Sequence, residues 1–222
     1  MLKKFLSKNF LNTLKKFNET RSWKKRNYLE NPPQFVKETI FLRDAVPNAK
    51  WVETGTGHGV TTKFLAENYP CVHTIEPSKY LYEQTAKNLK LKNIFFINDT
   101  SENILSKLLS KLHGDINFWL DGHYSGQGTY KGKINCPIKE ELIAIDKNIT
   151  NFKRISIFID DVRCFLSDTE EYYNYPSINF LVNWSREKNF AWKIEHDIFI
   201  MQNSLSKRMV AGGGIEPLTS GL

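Results

Sequence analysis

The 222-residue sequence has only three cysteines, at positions 71, 136 and 164, and no C-x-x-C spacing among them. That excludes a disulfide framework and a paired-cysteine zinc site, and it fits a reducing cytoplasm. No run of 18 apolar residues occurs, so no membrane-spanning helix is expected. Most of the chain also lacks an excess of charge: residues 31–222 hold 22 basic and 22 acidic residues. Such a balanced body has no broad cationic face, and no nucleic-acid partner is expected.

The net charge of +7 therefore sits in residues 1–30, which hold nine Lys/Arg and two Glu. There Leu2, Phe5, Leu6, Phe10, Leu14 and Phe17 recur at helical spacing among Lys3, Lys4, Lys8, Lys15 and Lys16. The spacing predicts a basic amphipathic helix without the cleavage site of a secretory signal. Its stripe has two uses open to it: packing on the domain as an extra helix, or lying on an anionic membrane surface through residues 1–26. The second would place a cytoplasmic protein at the inner face of the membrane.

The most informative stretch is Trp51 to Gly59, in which Glu53 precedes Gly55, Gly57 and Gly59 after a strand-like run. Glycine tolerates positive φ and has no Cβ, so a chain built this way turns sharply and a ligand can lie against its backbone. A dinucleotide fingerprint needs a small third residue at position 60, where Val60 stands. Helix-like Val60 to Asn68, strand-like Cys71 to Ile75 and terminal Glu76 complete a βαβ unit, with Glu76 placed to meet ribose hydroxyls. Further alternation follows. Helices are expected at 79–91, 102–112, 137–149 and 177–188, and strands at 93–97, 115–120 and 154–159. Two close apolar runs, 190–195 and 198–202, should pair antiparallel. This is an α/β doubly wound, mostly parallel sheet with an antiparallel C-terminal edge hairpin. Glu53, Glu76, Asp99, Asp121 and Asp160 all fall at expected strand ends, where such sheets bind ligands.

The pattern E-x-G-x-G-x-G at Glu53 to Gly59 resembles motif I of the class I S-adenosylmethionine-dependent methyltransferases. The resemblance implies that S-adenosylmethionine binds at Glu53, Thr54, Gly55, Gly57, Gly59, Glu76 and Asp121, with Asp99 near the adenine. A second cluster, Asp121-Gly122-His123-Tyr124 with Asp160-Asp161 after the next strand, is similar to metal-dependent O-methyltransferases of the catechol and macrocin types. Methylating a hydroxyl requires removing its proton. In those enzymes a hard cation such as Mg²⁺ on carboxylates assists a nearby base. The resemblance implies Asp121, Asp160 and Asp161 as metal donors and His123 and Asp121 as catalytic groups. His123 departs from the macrocin pattern, which has an acid there.

The wider pattern, L-D-G-H-Y-S, C-P-I-x-x-E-L and I-D-D, more closely resembles methyltransferase-like proteins of bacterial surface-polysaccharide gene clusters. A glycan or small-molecule acceptor and a place in polysaccharide biosynthesis are the corresponding expectations. An Asn/Asp-Pro-Pro-aromatic tetrapeptide is missing after strand four, which argues against amino methylation of bases. Cys136 lacks the setting of a C5-methylating nucleophile. Other classes stay open: an NAD-dependent oxidoreductase or epimerase, against which Val60 and the lack of a Tyr-x-x-x-Lys pair speak, or a non-catalytic cofactor-binding domain.

Between Gly122 and Cys136, glycines, tyrosines and lysines suggest a lid or substrate loop. The expected divisions are 1–30, a methyltransferase-like domain at 31–205, and a disordered tail at 206–222. That tail resembles the translation of the antisense strand of a transfer-RNA gene and is given no function.

Overall fold

The computed structural model describes residues 8–28, 31–123, 135–166, 172 and 174–203. Leu2, Phe5, Leu6, Tyr124, the middle of the expected lid and the 206–222 tail lie outside these residues. Among the described residues the chain runs α1 (Lys8–Lys25), α2 (Gln34–Asp44), β1 (Lys50–Thr54), α3 (Val60–Asn68), β2 (Val72–Ile75), α4 (Lys79–Asn88) and β3 (Ile94–Ile97). It continues through α5 (Ser101–Leu109), β4 (Gly114–Leu120), α6 (Ile138–Lys147), β5 (Phe152–Ile159), α7 (Val162–Phe165), α8 (Ile178–Glu187), β6 (Ala191–Glu195) and β7 (Ile198–Gln202).

The seven strands form one sheet of order β3-β2-β1-β4-β5-β7-β6. Strands β1 to β5 are parallel, and β7 joins β5 and β6 antiparallel. The expected hairpin is present, with β7 inside and β6 at the edge. Strand order reverses between β1 and β4, and such a switch point opens a crevice at the carboxyl ends of the strands.

Side chains alternate across each strand, which explains the near-continuous apolar runs of a sheet covered on both faces. Phe118 and Leu120 of β4 pack with Leu105, Leu142, Ile145 and Leu181 on the α5, α6 and α8 side. Trp119 between them points the other way, to Phe41, Trp51, Leu65 and Phe158 on the α2 and α3 side. Helix α2 had no counterpart in the sequence reading, although Ile40 and Phe41 bury one of its faces completely.

Helix α1 meets the body through Trp23, which is buried edge-on against Tyr28 and His196, the latter in the β6–β7 turn. Lys16 lies 5.3 Å above the Phe35 ring on the same side. Leu14 and Phe17 fall on the far side of the helix, and Phe17 is 62% exposed. No helix among the described residues is long and apolar enough to cross a membrane.

Candidate functional site

At the β1–β4 switch point the glycines of the turn have distinct surroundings. Gly55 has φ +84°, and a Cβ there would stand 2.2 Å from the backbone oxygen of Asp121, so the two strand ends cross without room for a side chain. Gly59 begins α3 at φ +72°, and a Cβ there would meet Thr85 and Leu89 of α4 at 2.5 and 2.7 Å. A Cβ on Gly57 would meet nothing within 4 Å. That side of the turn is open space, while the Gly57 amide is bonded to Glu76 and its carbonyl to Thr85.

Glu76 at the end of β2 accepts from the Gly57 amide at 2.8 Å and from the Ser78 amide at 2.9 Å. The structure thus brings together the turn and the acid placed 19 residues after Gly57. Glu53 is different, because its carboxylate is fully buried beneath the turn. One oxygen accepts from Thr62 at 2.6 Å and Thr74 at 2.7 Å, and the other has no hydrogen-bond partner. Burial pushes the group up to about 7 against those two bonds. Glu53 props the turn from below and does not face the crevice. Thr54 is also buried, and its carbonyl accepts from the Asp121 amide. Asp99 follows β3 and accepts from the Thr100 amide and Asn103 at the start of α5.

The second cluster forms where β4 and β5 end side by side, their backbones joined from Asp160 N to Leu120 O at 3.2 Å. His123 Nε2 donates to Asp161 Oδ2 at 2.7 Å and lies 3.8 Å from Asp121 Oδ1. Burial lowers the basicity of His123, but the Asp161 bond and the Asp121 charge outweigh it and carry the imidazole to about 9. Burial tends to raise Asp161, yet His123 and Arg163 pull it down to about 2. The two form an ion pair at neutral pH. Burial, with Asp160 beside it, pushes Asp121 well above the usual carboxylate range.

Three participants were not singled out in the sequence. Lys37 of α2 forms a buried ion pair with Asp160 Oδ2 and sits 5.2 Å from the Trp119 ring centre. Burial lowers Lys37, the carboxylate of Asp160 raises it, and the net effect is upward. Asp160 is also moved up by burial; we take the pair as ionised because ammonium and carboxylate are in direct contact. Arg163 bonds Asp161 Oδ1 at 2.7 Å and also reaches Asp197 and Asn31, which ties the site to the β6–β7 turn. Glu141, in the C-P-I-x-x-E-L stretch, is buried, pushed up to about 7 by that burial, and borders a small pocket, about the size of one water, with His123 and Cys136. A lysine 84 residues before Asp121 leaves no short-range spacing signal, which is why it escaped notice.

No protein-family model matches the chain, and no curated protein matches it in sequence. Among solved structures, a candidate rRNA methylase of Clostridium thermocellum is 14% identical, with TM-score 0.52 over 78% of this chain and 97% of that one. The chain has the Rossmann-like methyltransferase fold. An rRNA methylase of Streptococcus thermophilus is 17% identical with TM-score 0.45, over 78% of this chain and 96% of that one. A candidate methyltransferase of Streptococcus mutans, solved with SAH, is 16% identical with TM-score 0.46, over 78% of this chain and 98% of that one. Identities this low show a shared fold alone.

Proposed function

We propose that the chain is an S-adenosylmethionine-dependent methyltransferase acting on an oxygen of a glycan or small molecule. The observation that carries the reading is the junction of the open space beside Gly57, whose amide is bonded to Glu76, with Asp121 at the neighbouring strand end. A nucleoside ribose fits Glu76, whose oxygens keep lone pairs free for hydroxyls beyond their two amide bonds. Gly55, Gly57, Gly59 and Thr54 form the cradle, Asp99 stands toward the adenine end, and Glu53 holds the turn in shape. When bound, the cofactor supplies an electrophilic methyl group. The protein contributes placement of the acceptor and a destination for its proton.

In this reading Asp121 is the base and His123 is not. An imidazole carried to about 9 is charged at neutral pH and has no lone pair for a proton. Asp121, raised by burial and acidic neighbours, is a stronger base than an ordinary carboxylate. The imidazolium of His123, fixed by Asp161, orients the acceptor oxygen and steadies its developing charge. Transfer of labelled methyl to panels of glycans, small hydroxylated molecules and RNA tests the acceptor class. Labelling of RNA alone would overturn the proposal, to which the balanced charge of residues 31–222 lends support. We assign residues 31–205 to this catalytic unit and residues 1–26 to peripheral contact with an anionic membrane, favoured by the outward-facing Leu14 and Phe17 and the surrounding lysines.

A further inference from the structure

The fold positions Asp121, His123 and Asp161 so that one potential ligand atom of each lies within 4.8 Å of the others. Two of these three groups are already engaged. Asp161 uses one oxygen for His123 and the other for Arg163, and the His123 nitrogen facing the acids is the one bonded to Asp161. Asp160, the remaining donor expected for Mg²⁺, gives Oδ2 to Lys37. Mg²⁺ requires several oxygen ligands in near-octahedral array, and this set leaves Asp121 and one oxygen of Asp160 to supply them. Lys37 also places a unit positive charge where a dication would be repelled. It is held there from two directions, by Asp160 and by the face of Trp119.

We propose that the site works without a metal, and that Lys37 is its resident cation: a positioning residue that holds Asp160 and balances the acids at the ends of β4 and β5. The role given to the site rests on the reading above, whereas exclusion of the metal does not. This replaces the sequence-based assignment of Asp121, Asp160 and Asp161 as Mg²⁺ ligands. The reason is physical, since Lys37 holds Asp160 Oδ2 with a positive charge inside the cluster, while His123 and Arg163 hold the two oxygens of Asp161.

Titration with Mn²⁺, read by electron paramagnetic resonance of the free ion, tests the inference with or without turnover. Wild-type protein and Lys37→Arg should show no saturable site. Lys37→Met frees Asp160 beside Asp121 and should bind on the order of tenfold more tightly or better, because a nearby unit charge has been removed. Saturable one-to-one binding by wild type that is lost in Asp121→Asn would overturn the inference. So would a folded Lys37→Met protein that binds no more Mn²⁺ than wild type. If Lys37→Met does not fold, the wild-type titration decides alone. A separate titration with S-adenosylmethionine shows whether the cofactor reading fails independently.

Discussion

His123 and Asp161 are joined by a 2.7 Å hydrogen bond between buried side chains, across the ends of neighbouring parallel strands. Asp161 reaches this position in a left-handed backbone conformation, φ 57°. The pair fixes the charge state of the site. Nuclear magnetic resonance titration should find His123 ionising near 9, and Asp161→Asn should bring it down by at least about one unit, since loss of the partner charge removes what opposes burial. An unchanged value in the variant would show that Asp121 alone sustains the charge.

The same shift predicts a pH dependence of stability. The folded value lies above the unfolded one, so the contribution is fully present below about 6.5 and is lost as pH rises through about 9. Its size is roughly 3 kcal/mol at most for the shift involved. Denaturant melts of wild type and His123→Gln should converge as pH rises across this window. Parallel curves would contradict the assignment.

Glu53 predicts a second, separate window. Its folded value of about 7 is raised by burial, so its stabilising contribution is present below the unfolded value and is lost as pH rises through about 7. Glu53→Gln should therefore be more stable than wild type at pH 8 and show less difference at pH 5. Thermal melts at the two pH values provide the comparison, and a variant less stable at pH 8 would mean that the carboxylate is needed as an anion.

The glycines of the turn should separate folding from binding. Gly55→Ala places a methyl group into the Asp121 backbone at positive φ, and should cost about 3 kcal/mol or more. Gly57→Ala meets no protein atom and should cost only about 1 kcal/mol for its positive φ. It should nonetheless weaken S-adenosylmethionine binding, because the new methyl projects into the open space. Chemical denaturation measures the first effect and calorimetry the second.

For catalysis, Asp121→Asn should lower methyl transfer by at least about 100-fold with cofactor affinity largely kept. The rate profile should be bell-shaped, with a falling limb near 9 as His123 loses its proton. His123→Gln should remove that limb.

The elements with strong local signals were legible in the sequence. Helix α3 has the bounds read from its periodicity, and the acids at the strand ends follow from the alternation of strand and helix. Glu53 was misplaced because a motif position does not reveal which way a strand residue points; Thr62 and Thr74 hold it under the turn. The cations were missed for a different reason. Lys37 and Arg163 acquire meaning only when α2 and the β6–β7 turn are packed against the sheet, and no short spacing records that approach.

The crevice at Gly57 and Glu76, beside Asp121, is expected to bind S-adenosylmethionine. Calorimetric titration of the purified protein with S-adenosylmethionine and, separately, with NAD tests it most directly. S-adenosylmethionine alone should bind, and more weakly to Gly57→Ala. Binding of NAD alone, or of neither ligand by folded protein, would contradict it.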